Sequence, residues 1–304
     1  MSTDFKFGSS FFINKLYKEF CGIQKSYKEA QYIIIGIPYE TTVTYRPGTK
    51  FAPSYIREAS TNIETYCILS KMYFEDVEFY DIGDIDVNGV KIEEALRRIS
   101  MVIEDIKREN KFPVCIGGEH SITYGIVRSI KPDTLVIFDA HLDLRDEYPI
   151  TIKYGHATVM RRIYEDLGID NIIYIGSRAF SKEEFNFATK KGFKIFSSDE
   201  INENIKYIID ELSDLLNKSK RLYISVDMDV FDPSVAPGVG TPEPYGINFK
   251  DFLNIIKNVL DKRIEGFDIV ETSPLFDNGI SSVLAAKIIF ECVSFLYKKS
   301  KTKG

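Results

Sequence analysis

Six short runs rich in β-branched residues recur along this chain: "QYIIIGI" (31–37), "FPVCIGG" (112–118), "TLVIFDA" (134–140), "NIIYIGS" (171–177), "LYISVDM" (222–228) and "IEGFDIVE" (264–271). Between them, "IEEALRRISMVIEDIKREN" (92–110), "NENIKYIIDELSDLLNK" (202–218) and "SSVLAAKIIFECVSFLYKK" (281–299) carry apolar residues at three- and four-residue spacing. Strands alternating with helices predict an α/β fold, a three-layer α-β-α sandwich around a mostly parallel sheet. A length of 304 residues suggests about two domains. The distinctive motifs, however, run from position 117 to 271 with no Ser/Gly/Pro linker among them, so one domain over 1–304 is expected.

In such sheets ligands bind beyond the carboxyl ends of the strands, and the unusual residues of this chain collect there. Gly117-Gly118-Glu119-His120 follows one run, Asp139, His141 and Asp143 the next, Asp227 and Asp229 a third, and Glu271 the last. Extended backbone would put 227 and 229 on one side, and likewise 139, 141 and 143. Bare carboxylates so placed repel each other and lose hydration, so something positive belongs between them. Four aspartates and two imidazoles, without sulfur, suit hard or borderline divalent ions such as Mn. Two such ions balance the four negative charges. A lone Asp at a strand end is usually a cap or loop residue, and a lone His a structural one. Here the chain has three histidines, His120, His141 and His156, and two of them lie in or just after these Gly/Asp-rich strand ends.

A formal charge of −6 and a pI near 5.4 argue against a nucleic-acid binder and suit a small cationic substrate. The basic run "YKKSKTKG" (297–304) reads as a frayed, solvated helix end. Cys21, Cys67, Cys115 and Cys292 are dispersed, so neither a disulfide framework nor a thiolate zinc site is expected. Asp4, Lys6, Lys15, Lys18 and Glu19 break up the N-terminal aromatic residues, leaving no signal-peptide stretch, and no run approaches 18 apolar residues. A cytoplasmic protein without a membrane partner is expected.

The segments "GGEHS" (117–121), "DAHLD" (139–143), "SVDMDVFDPSVAPGVGTPEP" (225–244) and "ETSP" (271–274), with "GIPYETTVTYRPGTKFAPSYIREAS" (36–60), together resemble the ureohydrolases, the family that includes arginase and agmatinase. That resemblance implies an eight-stranded, largely parallel sheet and two Mn2+ ions. His120 and Asp143 would bind the first ion, His141 and Asp229 the second, and Asp139 and Asp227 would bridge both. Such a pair acidifies a shared water for attack on a guanidinium carbon, releasing urea and an amine. Glu271 would hold the guanidinium by a charge-assisted fork, Asp229 would take a proton, and His156 in "YGHATVM" would pass one to the leaving amine. Ala157 stands where the family has Gly, Ala52 where Gly precedes Pro53, and Ser273 where Asn precedes Pro274. A homo-oligomer, trimer or hexamer, is also implied.

Agmatine is the expected substrate, giving putrescine for polyamine biosynthesis. The Ser-Gly-Asn element by which arginases hold an α-carboxylate is replaced by "LRDEYPITIKYGHA" (144–157), where Asp146 and Glu147 would attract an ammonium and Arg145 opposes them. Aminopropylagmatine keeps the same logic, whereas guanidinobutyrate and arginine bring a carboxylate. The competing readings are a single-zinc deacetylase-like enzyme, against which the full "DAHLD" and "VDMD" set argues, and a catalytically silent binding homologue.

Overall fold

A strand covered on both faces has no polar side, which is why the apolar runs read as unbroken stretches. The computed structural model describes residues 8–14 and 18–302. Its strands are β1 (Ile13–Asn14), β2 (Tyr32–Ile37), β3 (Tyr66–Cys67), β4 (Met72–Tyr73), β5 (Phe79–Ile85), β6 (Phe112–Gly117), β7 (Thr134–Phe138), β8 (Asn171–Ile175), β9 (Lys194–Phe196), β10 (Leu222–Asp227) and β11 (Ile264–Val270). Its helices are α1 (Ala52–Ser60), α2 (Ile92–Arg108), α3 (Ile122–Ile130), α4 (Val159–Leu167), α5 (Lys182–Lys191), α6 (Ser198–Leu216), α7 (Phe249–Val259) and α8 (Ile280–Lys301).

The central sheet runs β1-β5-β2-β6-β11-β10-β7-β8-β9. Every pairing from β5 to β9 is parallel. Those eight strands are the sheet the resemblance implied; the ninth, two-residue β1, adds an antiparallel edge to β5. β3 and β4 form a separate two-stranded sheet. Alternate strand residues feed two cores. Ile34, Ile116, Val136, Ile224 and Ile269 pack with α1, α6, α7 and α8 on one face. Ile33, Cys115, Ile137, Tyr223 and Val270 pack with α2, α3, α4 and α5 on the other. The four cysteines are free and buried.

Three expectations change. First, β7 stops at Phe138, so Asp139, His141 and Asp143 lie in the following loop, with Asp143 in the left-handed region at φ 51°. Likewise β10 ends at Asp227, and Asp229 rides on a 3-10 turn, Met228–Val230, where its N–H donates to Asp227 Oδ1 at 2.9 Å. A carboxylate that caps the turn ends the strand at that point. Second, α6 begins at Ser198, capped by Ser197, whose Ser-x-x-Glu box pairs it with Glu200. It bends at Asn204 (φ −152°, ψ 72°), so the periodicity read from 202 belongs largely to its second part. Third, the basic tail is not a solvated fray. α8 continues to Lys301, and Lys298, Lys299 and Lys301 bond to the Ser70 carbonyl, the Leu260 carbonyl and Glu78. Asp4, Lys6 and Lys15, and positions 303 and 304 of the tail, lie outside the described residues. α8 is long and apolar enough to cross a membrane by composition, but it is a mostly buried helix of the core.

Candidate active site

β6, β11, β10 and β7 stand side by side in the sheet, and the segments leaving their carboxyl ends carry His120, Glu271, Asp227 with Asp229, and Asp139 with His141 and Asp143. One central edge therefore gathers all six expected ligands. His120 Nδ1 lies 2.9 Å from Asp143 Oδ2, 3.3 Å from Asp139 Oδ2 and 3.4 Å from Asp227 Oδ2. His141 Nδ1 lies 3.0 Å from Asp229 Oδ2 and 3.6 Å from Asp139 Oδ1. Donor atoms of His120, Asp139 and Asp143 fall within 4.8 Å of one another, as do those of Asp139, His141 and Asp229, so the two clusters share Asp139.

The donor set fits divalent cations. His120 Nδ1 and Asp139 Oδ2 are buried without a hydrogen-bond partner, a state that costs free energy unless something binds them. Behind the ligands the bonding is complete. His120 Nε2 meets Ser225 Oγ at 3.0 Å, and Ser225 donates to Asp268 at 2.5 Å. Asp268 also accepts from Thr123 (2.9 Å) and Tyr223 (2.7 Å). This chain turns the Nδ1 side of His120 inward, as metal-binding histidines are usually oriented by a partner on the other nitrogen. Asp229 is held by the Ala140 N–H (3.1 Å) and the Thr241 hydroxyl (3.1 Å).

Burial disfavours charge on all these groups, and the neighbours decide the outcome. It opposes protonation of His120 and His141, but Asp139, Asp143 and Asp227 around the first, and Asp229 and Asp139 around the second, hold both imidazoles well above their ordinary value. Burial, then Asp139, pushes Asp143 up to about 7; burial, then Asp229, pushes Asp227 well above the carboxylate range. Burial is the largest influence on Asp229 and acts to raise it, but the His141 charge together with the hydrogen bonds from His141, Asp227 and the Ala140 N–H outweighs it and holds that carboxyl below its ordinary value. Carboxylates that must share protons in order to sit together are groups from which cations displace protons.

A cavity of about 320 Å³ opens over the clusters, lined among others by His156, Glu271, Thr241, Glu243, Arg145 and Tyr148. Glu271 sits in the left-handed region at φ 61° and accepts from the His120 N–H at 2.7 Å. Burial pushes its carboxyl well above the usual range. Burial, then the charges of His120 and His141, pushes His156 down to about 4, so its ring is neutral near pH 7. Ala157 is buried beside it.

Asp146 and Glu147 are not brought to the cavity. Asp146 turns to Arg162 at 2.7 Å, which lowers its carboxyl, and Glu147 lies 4.0 Å from Lys153. Arg162 of α4 and Lys153 of the loop itself compete for them. Apart from the expected ligands, Glu271 and the Ser181-bound Glu184, the carboxylate in the cavity lining is Glu243, whose Oε1 is 4.0 Å from His141 Nε2. It belongs to the Gly/Pro-rich segment 236–246, which Arg178 ties to the Asp229 turn by donating to the carbonyls of Glu243 (2.7 Å), Pro244 (2.9 Å) and Asp229 (2.9 Å). Arg145 lines the wall with its charge already engaged, 3.7 Å from Glu184 and over the Tyr148 ring. Arg178, Ser225 and Asp268 escaped the sequence reading; the lone Asp268 inside an apolar strand is the one signal that pointed to them.

Residues 30–294 match the family model described as Arginase family. An agmatinase of Pyrococcus horikoshii is 36% identical over 267 residues, covering 86% of this chain and 91% of that protein. An N(1)-aminopropylagmatine ureohydrolase of Thermococcus kodakarensis is 35% identical over 275 residues, covering 89% and 92%. The crystal structure of agmatine ureohydrolase of Thermoplasma volcanium superposes with a TM-score of 0.83 at 38% identity, covering 95% of this chain and 97% of that one. Fold and comparisons alike define an α/β ureohydrolase. The chain belongs to the arginase family, and within it is agmatinase-like.

Proposed function

We propose that this chain hydrolyses agmatine to putrescine and urea with two Mn2+ ions. The observation that carries the reading is the pair of His/Asp clusters sharing Asp139 beneath a cavity whose carboxylates include Glu271 and Glu243. His120 and Asp143 would hold one ion, His141 and Asp229 the other, with Asp139 and Asp227 between them. Bound there, the ions supply an acidified water as nucleophile and neutralise the aspartates. Glu271 accepts the guanidinium N–H groups and fixes the reacting carbon. Asp229 accepts a proton through its carboxylate, and His156, neutral near pH 7, carries a proton to the departing nitrogen. Glu243 faces the substrate's distal ammonium. A carboxylate in that place would meet the Glu243 charge, and the arginine in the lining, Arg145, is already compensated by Glu184, so it would lose a few kcal/mol for want of a free cationic partner.

Assembly as a homo-oligomer, trimer or hexamer, belongs to the same proposal. A second reading, aminopropylagmatine as substrate, is favoured by the relative that carries that name. Side-by-side kcat/KM for agmatine, aminopropylagmatine, guanidinobutyrate and arginine, with urea and bound metal counted, tests both. Agmatine is expected to lead. Aminopropylagmatine in first place changes the substrate's name but keeps the role of Glu243, while arginine in first place overturns the reading.

A further inference from the structure

Thr42 and Glu119 lie beside the cavity in a hydrogen-bond chain that the metal clusters do not use. The Glu119 carboxylate is fully buried and receives four donors: the Thr41 N–H (2.7 Å) and Thr42 N–H (2.7 Å) on Oε2, and the Ser121 hydroxyl (2.6 Å) and Thr42 hydroxyl (2.9 Å) on Oε1. Burial pushes this carboxyl up and the four hydrogen bonds act against that; geometrically, four donors fill the lone-pair sites of a carboxylate and leave none for a proton. The single Thr42 hydroxyl hydrogen is thereby committed to Glu119. Its oxygen keeps two lone pairs, and two groups of His156 converge on them: the backbone N–H at 3.0 Å and ring Nδ1 at 2.9 Å. An oxygen whose only hydrogen points elsewhere can meet Nδ1 only as an acceptor, so Nδ1 carries the ring proton. Nε2 is left with its lone pair as the other nitrogen of a cavity-lining ring.

The local backbone is built for this contact. Gly155 packs against Thr42 so closely that a β-carbon there would stand 3.1 Å from Oγ1 and 3.3 Å from Cβ. Gly155 and Thr158 then open the turn that carries His156.

We propose that Thr42 is a positioning residue for His156: anchored on Glu119, its hydroxyl fixes the tautomer with the proton on Nδ1 and presents Nε2 as the proton-accepting nitrogen. This rests on the reading of His156 as the proton-transfer group. Orientation of a histidine by a hydroxyl–carboxylate chain matters to rate because the wrong tautomer offers an N–H where a lone pair is needed.

The test uses the full chain, loaded with manganese for kinetics and with diamagnetic zinc for long-range 1H–15N NMR of 15N-histidine-labelled protein, which has only three histidines to assign. In the wild type, His156 is expected to show its proton on Nδ1. Thr42→Val is expected to lose that preference and to lower kcat about 10- to 100-fold, as when a partner that orients a histidine is removed, with KM within about twofold and metal content unchanged. Thr42→Ser is expected to restore both. Wild-type His156 protonated on Nε2 overturns the proposal, as does a folded Thr42→Val enzyme with wild-type kcat. Should Thr42→Val fail to fold, the wild-type spectrum and the serine variant still decide. Should no guanidino substrate be turned over, the tautomer measurement stands apart from that failure.

Discussion

Asp139 Oδ2 faces His120 Nδ1 across 3.3 Å, and neither buried atom has a hydrogen-bond partner. Two unsatisfied lone-pair atoms set deep in the protein mark the place where a cation completes the bonding. Asp139→Asn keeps the shape but halves the carboxylate's capacity to serve both clusters. Bound metal, counted by elemental analysis, is expected to fall below two ions per chain, with kcat down at least about 100-fold. Two retained ions would remove Asp139 from its bridging place.

Metal stripping should reverse the pH dependence of stability at this site. Asp143, raised to about 7, and Asp227, raised well above the ordinary carboxylate range, bind more protons in the folded metal-free protein than in the unfolded chain. Stability therefore falls as pH rises from about 4 through 7, because deprotonation then costs more in the folded state. Added manganese displaces those protons, so its stabilising effect grows over the same interval. Thermal unfolding with and without manganese at pH 5 and pH 8 checks this; a larger Tm increment at pH 5 would contradict it.

Asp268→Asn leaves all six ligands in place but disturbs the Ser225 link behind His120. Metal affinity is expected to weaken about 10- to 100-fold, measured by competition with a chelator. Unchanged affinity would mean that packing alone holds the imidazole.

Asp146 and Glu243 should separate cleanly in kinetics. Asp146→Asn alters a carboxylate committed to Arg162 outside the cavity, and kcat/KM for agmatine is expected to stay within about twofold. Glu243→Gln removes a cavity charge and is expected to raise KM for agmatine about tenfold while leaving a neutral-tailed guanidine unaffected. The opposite ranking would return substrate-tail recognition to Asp146 and Glu147.

Arg57 is buried between Asp81 (2.7 Å) and Asp84 (2.6 Å), joining α1 to β5. Arg57→Met strands two carboxylates in the interior. A loss of about 3–5 kcal/mol is expected by urea unfolding; a loss below about 1 kcal/mol would show that water reaches the pair.

The same pair explains part of what the sequence concealed. β5, "FYDIGDI", does not read as a strand because Asp81 and Asp84 interrupt its apolar alternation, and their partner lies 24 and 27 residues earlier. β9 has three residues, too few for a pattern. By contrast β2, β6, β7, β8, β10 and β11 were legible because burial on both faces demands unbroken apolar runs. All six expected metal ligands could be placed at strand ends from the chain alone. Their backbone conformations could not, since Asp143 and Asp229 leave the extended form through local hydrogen bonding and positive φ. Thr42, Glu119 and His156 meet across separations of 77 and 114 residues, with no periodicity to announce it.

Asp143 and Glu271 both hold left-handed backbone, at φ 51° and φ 61°, without being glycine or asparagine. Such a conformation costs on the order of 1–2 kcal/mol for a residue with a β-carbon, less at Asp143, whose short polar side chain tolerates it, than at Glu271. Two carboxyl side chains of the cavity thus stand on backbone that is costly for a side chain, a cost the fold bears where its chemistry needs them. Selection for thermal robustness alone would drift both positions toward glycine, and a population relieved of the need for turnover should show that drift.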